Sequence, residues 1–263
     1  MRKLVVAALG SMVFATPALA EDGDWTGPYV GVSAGWNSAH SDSSATLGGQ
    51  WAAESAALRQ TITSNMAASQ TSQNGDVGAF LGYNYQSGGF VAGLELEANA
   101  IGGQKVRATG PITTGVVGSA GNAGNANPAL APNYTFTNSI DPKSMIAIKL
   151  RLGAAMGDTL FYVNGGWAWV DANQSASIIS NGNYKKSATV GKTRNGWLLG
   201  LGIEQRLGTH LSLRASYDYT DQGDFSYVTA YEAGSSFTTP AYTETINQDL
   251  TMHLVRIGLS YHF

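Results

Sequence analysis

Along much of the chain, apolar residues alternate with small or polar ones at a period of two, the pattern of strands whose two faces meet different surroundings. Segment 29–36 sets Val30, Val32, Ala34 and Trp36 against Tyr29, Gly31, Ser33 and Gly35. Segment 77–85 sets Val77, Ala79, Leu81, Tyr83 and Tyr85 against Gly78, Phe80, Gly82 and Asn84, and segment 90–98 sets Phe90, Ala92, Leu94, Leu96 and Ala98 against Val91, Gly93, Glu95 and Glu97. The same alternation returns in 144–156, 161–169 (where both parities carry apolar side chains), 197–203, 211–219 and the terminal stretch ending at Phe263. The pattern predicts eight strands, an even number.

The connections alternate in length. Ser87-Gly88-Gly89, Gly157-Asp158-Thr159 and the turn around Gly208-Thr209 are tight and built on glycine, which tolerates positive φ. The other four, 37–76, 99–143, 171–193 and 220–251, are long and rich in Ser, Thr, Asn, Gly and Ala. Loops of that length are uncommon in a compact soluble domain. Short turns at one end and long excursions at the other are the organisation of a transmembrane β-barrel. The predicted fold is all-β: an eight-stranded antiparallel up-and-down barrel with four long extracellular loops and short periplasmic turns. Within the first long connection, Trp51, Leu58, Ile62 and Met66 follow a rough helical period. A short helix over the barrel mouth or on the membrane surface and a mobile loop both fit it.

Composition decides which parity faces lipid. Charged residues make up 13% of the 263, and 33 are glycine, against about 25% charged and 7% glycine in ordinary domains. The non-apolar parity is mostly Gly, Ser and Asn, too small and too uncharged for a solvated coat. It suits the crowded interior of an eight-stranded barrel, which side chains fill. The apolar parity then faces outer-membrane lipid. Trp36, Tyr83, Tyr85, Phe90, Phe161, Trp167, Trp169, Trp197, Tyr217, Tyr219, Tyr261 and Phe263, near strand ends, would form the interfacial girdles.

The inward parity carries four acids, Glu95, Glu97, Glu204 and Asp218, and four bases, Lys149, Arg151, Arg214 and Arg256. Unpaired charges in so narrow a space are costly, so a balanced network is expected. Counted from the nearest short turn or terminus, Glu95 and Glu97 stand level with Arg151 and Lys149, Glu204 with Arg214, and Asp218 with Arg256.

The N-terminus has its own pattern. Arg2 and Lys3 precede an apolar run over 4–14, and Ala18-Leu19-Ala20 supplies a small-x-small site. This reads as a secretory signal peptide, 1–20, cut after Ala20 to leave a barrel domain of 21–263. The run is too short for the ~20 residues of a spanning helix.

Several chemistries drop out. A net charge of −3 leaves no basic nucleic-acid footprint. With no cysteine, thiol catalysis, disulfides and Cys-ligated metals are excluded. His40, His210, His253 and His262 form no pair on one strand face, so neither a metal nor another cofactor is expected. No nucleophile–base set is fixed to one end of the barrel, and an enzyme is not expected.

The chain resembles the family of small Gram-negative outer-membrane β-barrels of porin-family or outer-membrane immunogenic type. The likeness rests on Trp25-Thr26-Gly27-Pro28-Tyr29-Val30-Gly31, Gly82-Tyr83-Asn84-Tyr85-Gln86, Gly93-Leu94-Glu95-Leu96-Glu97, Arg151-Leu152-Gly153, Phe161-Tyr162-Val163-Asn164-Gly165-Gly166, Gly196-Trp197, Gly202-Ile203-Glu204, Tyr217-Asp218-Tyr219 and Val255 through Phe263. Their order and spacing carry the resemblance more than any one motif. It implies a surface-exposed, often antigenic integral protein of the outer membrane. Some members are described as pores and some relatives as haemin binders, and no matched site residue transfers either activity. The terminal parity Val255, Ile257, Leu259, Tyr261 and Phe263 resembles the signal read by the barrel insertion machinery, which with periplasmic chaperones would be the assembly partner. A monomer is expected. The resulting reading is a structural, surface-interaction barrel with a filled interior. A small-solute pore and a surface haemin-type binder are its alternatives, since water-filled porins need about 16 strands.

Overall fold

The computed structural model describes residues 23–102, 105–113 and 133–263. The expected signal segment, with Ala18 and Ala20, lies outside them. Strand β1 (Gly27–Gly49) leads into a 3-10 turn (Gln50–Ala53) and helix α1 (Ala56–Met66). Then follow β2 (Ala68–Ser87), β3 (Phe90–Ile101), β4 (Lys105–Thr113), β5 (Asn133–Met156), β6 (Thr159–Ser180) and β7 (Lys185–Arg206). The chain finishes with β8 (Leu211–Asp221), β9 (Phe225–Val228), β10 (Ala230–Tyr231), β11 (Tyr242–Gln248) and β12 (Thr251–His262).

Eight of these, β1, β2, β3, β5, β6, β7, β8 and β12, form an antiparallel ring. It closes where β1 meets β12, from Tyr29 opposite His262 to His40 opposite Thr251. Closure removes the sheet edges at this level, so backbone donors and acceptors are satisfied within the wall. The end holding the termini and short turns is proximal here, and the other end distal. At the proximal turns Gly88 and Gly157 have φ of 58° and 61°, where a side chain would be strained.

The parity assignment holds around the ring. Val32, Leu94, Leu150, Val163, Leu201, Ile257 and their strand-mates point outward and are exposed, while the small and charged parity is inside. Crowding is severe inside. A Cβ on Gly200 would lie 2.0 Å from Asp218 Oδ1, so only hydrogen leaves room for that carboxylate.

Among the described residues the long excursions are mostly strand rather than loop. β6 and β7 pair continuously to Ile179 and Lys185, and only Asn181–Tyr184 forms their turn. β6 runs eleven residues past Trp169, roughly 35 Å of strand at ~3.3 Å per residue. The period-2 signal fades there because Asn, Gln, Ser and Thr occupy both faces. Beyond the ring the wall separates into two sheets, β9-β11-β1-β2 and β4-β5-β6-β7-β10. Helix α1 is capped by Ser55, whose Oγ accepts from Leu58 N at 3.2 Å. Leu58, Ile62 and Met66, on one face at i, i+4 and i+8, pack into the core between the sheets. The helix of the first excursion is therefore formed.

In β5 a bulge interrupts pairing with β6. Pro142 pairs Ala172 and Ser144 pairs Asp171, leaving Lys143 as the extra residue. Proximal to it Met145, Ala147, Lys149 and Arg151 are buried, and distal to it Tyr134, Phe136, Asn138 and Ile140 are. The inward parity thus switches from odd to even.

Candidate functional site

The space inside the wall is layered. At the proximal floor Trp25, Val91, Leu160 and Tyr162 form an apolar cluster. The Trp25 backbone N–H donates to Gln86 Oε1 at 2.7 Å, and its ring meets His262 edge-on at 5.5 Å. The Arg206 guanidinium lies 4.7 Å over the Trp25 ring. The segment before β1 thus crosses beneath the barrel and is held to β2, β7 and β12.

Above the floor lies an ionic tier. It gathers the eight charged residues that the sequence sets on the inward parity, each at most 3% exposed. Arg214 on β8 reaches across to Glu95 on β3 with two bonds of 2.7 and 3.1 Å. Arg151 donates to Glu204 at 2.9 Å and lies 3.4 Å from Glu95. Lys149 binds Glu97 and, at 2.9 Å, Asp218. Arg256 binds Glu97 at 2.5 Å and lies 3.3 Å from Asp218. In the register Glu95 stands opposite Lys149 and Arg151 opposite Gly93, two residues off the sequence count. Of the pairs that count sets level, Glu95 with Arg151, Glu97 with Lys149 and Asp218 with Arg256 are in contact. Arg214 pairs with Glu95 rather than with Glu204, its direct neighbour in the register, whose carboxylate is engaged by Arg151, Ser212 and His262. Aromatic faces support two cations: Arg214 lies 3.8 Å over Phe80 and Arg151 3.9 Å over Tyr162.

Sequence reasoning missed several members of this tier. Asp76, placed in the first long connection, is the last residue of β2 paired with β3 and accepts from Arg256 Nε at 2.7 Å. Its even parity, shared with Gly78 and Phe80, is the signal that was available. Tyr29 donates to Glu95 at 2.9 Å and accepts from Arg151 at 2.7 Å. Asn164 donates to Asp218 at 3.0 Å, and Ser212 to Glu204 at 2.5 Å. His262 is buried, with Nε2 3.2 Å from Glu204.

An apolar tier follows, including Ala39, Ile101, Ile140, Met145, Val170, Leu198, Met252 and Leu254. Next comes a tier of neutral hydrogen-bonding groups. Asn138 on β5 donates to Ser43 on β1 at 2.9 Å, and Gln248 on β11 to Ser41 at 2.9 Å. Arg194 donates to Gln174 at 3.2 Å and stacks 3.4 Å over Phe225.

The distal core has an ionic centre of its own. Glu244 on β11 is fully buried and accepts from Trp51 Nε1 at 2.6 Å, Thr229 Oγ1 at 2.5 Å and the Tyr184 hydroxyl. Lys186 lies 2.7 Å from the same carboxylate, donates to Tyr242 O at 2.6 Å and sits 4.6 Å over the Tyr231 ring. Tyr242 donates to Glu54 at 2.7 Å. Burial, reinforced by the Glu244 carboxylate, pushes the Tyr184 phenol above the ordinary tyrosine range, which keeps it a donor.

On the outer wall, Val255, Ile257, Leu259 and Tyr261 form an exposed row, and the Phe263 ring meets Tyr261 edge-on at 5.1 Å. His253 lies outside at the distal girdle, 2.7 Å from the Tyr217 hydroxyl, and His210 stacks on Tyr261 at the proximal rim. His40 lies 3.4 Å from Asp42.

A closed eight-stranded ring with an apolar outer band and an ionic interior is the setting in which comparison with known proteins becomes informative. A family model described as outer membrane protein beta-barrel domain matches residues 6–263. The chain belongs to this family. It is an outer-membrane protein. It is similar to the 31 kDa outer-membrane immunogenic protein of Brucella melitensis, 25% identical over 283 residues that take in 100% of both chains. Among solved structures, it is similar to the outer membrane protease OmpT from Escherichia coli, with 7% identity and a TM-score of 0.47 over 95% of this chain and 100% of that one. It is also similar to the outer membrane protein OprG from Pseudomonas aeruginosa, with 10% identity and a TM-score of 0.42 over 92% and 99%.

Proposed function

We propose that this protein is a structural, surface-displayed barrel whose interior is closed to solute diffusion, and that it acts through the distal structure it presents outside the cell. One observation carries the reading. Ion pairs join β8 to β3, β5 to β8 and β12 to β3 across the lumen, between side chains almost wholly withdrawn from solvent. The apolar side chains directly above them add a second layer of filling. The exposed apolar band meets lipid, the termini face the periplasm, and the two distal sheets stand outside. The immunogenic description of the Brucella relative supports a role as a surface antigen. No catalytic role forms part of this reading.

Planar-bilayer recording on the purified protein tests it. The expected trace holds baseline, with at most brief flickers. A stable unit conductance proportional to voltage would overturn it in favour of a small-solute pore.

A further inference from the structure

The Glu244 centre ties together segments that enter the distal region separately. Trp51 belongs to the first excursion, Tyr184 and Lys186 to the third, and Thr229 and Glu244 to the fourth. Each carboxylate oxygen has two partners. Oε1 takes Trp51 and Tyr184, and Oε2 takes Thr229 and Lys186. Around it Trp51 meets Tyr242 and Tyr184 edge-on, at 4.9 and 6.1 Å. The group is thus saturated and dry.

The segment that Trp51 anchors has the form of a lid. It runs from Gly49 to Ala67 between β1 and β2, and α1 packs between β1 and β5, one strand from each distal sheet. One end is a defined pivot. Gly49 has φ 62°, a Cβ there would come within 2.3 Å of Ala241 O, and Gln50 N donates to the same carbonyl at 2.9 Å. The other end, Ala67, is extended and passes into β2. Intrinsic helix formation does not hold α1 down, since eleven residues including two threonines are marginal alone. What holds it is the apolar stripe Leu58, Ile62 and Met66 together with the Trp51 bond to Glu244 and the bond Glu54 accepts from Tyr242. Beneath lie the neutral polar groups of Ser41, Ser43, Gln70 and Asn138.

We propose that Glu244 is the lock of this lid: its carboxylate holds the 49–67 segment closed, and losing the charge releases that segment while the membrane ring stays intact. The physical basis is asymmetric. With glutamine at 244 the side chain keeps its shape but leaves the Lys186 ammonium buried without a counter-charge, and the amide NH2 faces two donors at the positions now held by oxygen acceptors. The cheapest relief is to admit water, and the segment between the two sheets is the one that can move to let it in. The ring has its own ion pairs and a separate apolar tier, so it does not share the loss.

Arg59 is the one basic residue in the segment, which makes trypsin a direct reporter. The full-length protein, folded in lipid vesicles, would be treated with trypsin and the cut at Arg59 followed by mass. Glu244→Gln is expected to speed that cut at least tenfold over wild type, with the undigested sample keeping its heat-dependent shift on gel electrophoresis. Thr229→Val removes one neutral donor and should give a smaller acceleration with the same intact ring. Cutting at the wild-type rate in both variants would overturn the proposal. If Glu244→Gln loses the heat-dependent shift while Thr229→Val is cut at the wild-type rate, Glu244 supports the whole barrel rather than the lid, and the proposal also fails.

Discussion

Arg214 and Glu95 are 119 positions apart on strands that do not neighbour each other in the sheet, yet two guanidinium nitrogens meet two carboxylate oxygens at 2.7 and 3.1 Å. The pair is asymmetric. Among the described residues Arg214 has Glu95 as its ion-pair partner, whereas Glu95 is also within 4 Å of Arg151 and Lys149. Removing the acid therefore strands a buried cation, and removing the base does not strand the acid. Glu95→Gln should cost about 3–5 kcal/mol of stability, the usual penalty for a buried charge left alone. Arg214→Met should cost clearly less, and the double variant should recover part of the Glu95→Gln loss. Denaturant unfolding of the refolded protein in lipid measures all three. Equal losses in the two single variants would mean that the tier shares charge evenly.

The orientation can be checked on intact cells. Protease added outside should cut within 99–143 and leave the Gly157-Asp158-Thr159 turn untouched until the outer membrane is permeabilised. Cleavage at that turn in unpermeabilised cells would invert the topology.

Phe263 closes the exposed row of β12, and its N–H donates to Pro28 O at 3.1 Å beside the ring seam. Deleting it should lower the amount of inserted protein far more than Ser260→Ala on the opposite, inward parity. Membrane fractionation quantifies both. Equal yields would leave the terminus no special part in assembly.

The buried distal phenols predict a response to alkali. Tyr184 is raised by burial and by Glu244, and it faces Lys186, Tyr231 and Tyr242 across the same core. Tyr134, near Glu54, and Tyr227, opposed by Arg194, are raised too, burial being the main cause for both. A group whose folded pKa exceeds its unfolded value contributes stability that is complete below the unfolded value, near 10 for tyrosine, and lost as pH climbs above it. The distal structure should therefore loosen on the alkaline side of 10. An ultraviolet titration should show a late tyrosinate step that shrinks in Tyr184→Phe. A single step shared with the exposed tyrosines would contradict it.

How much of this was visible in the residues depended on what each face meets. Where one parity meets lipid, as in Leu94 and Leu96 against Glu95 and Glu97, the two faces differ so strongly that strand and face both followed, while height came out two residues off, Glu95 standing opposite Lys149. Outside the membrane both faces meet water or polar groups. β11 alternates Tyr242, Glu244, Ile246 and Gln248 inward, a mixture in which hydrophobicity has no period. Glu244 and Lys186 were therefore unreadable as a pair, each being an ordinary charge in a Ser/Thr-rich stretch. The misassigned partner of Arg214 has another cause. Glu204 does stand opposite Arg214 in the register, but Arg151, Ser212 and His262 engage its carboxylate, and the long arginine spans the lumen to Glu95 instead.

The bulge at Lys143 also sets a phase boundary. A wall built to one alternation would have to present the same parity inward from the proximal turns to the distal tip. With one inserted residue, the half of β5 in the membrane and the half beyond it are free to be composed in opposite frames. Drawing Lys143 into the regular ladder would leave the composition unchanged, yet it would turn Tyr134, Phe136 and Ile140 out toward water and bring their polar neighbours into the distal core. Deleting it would instead leave Pro142 opposite Ala172 and Ser144 opposite Asp171, with the same faces inward. A single uncounted position there separates two grammars in one strand, so segments exchanged between relatives on either side of it must be joined in step with it.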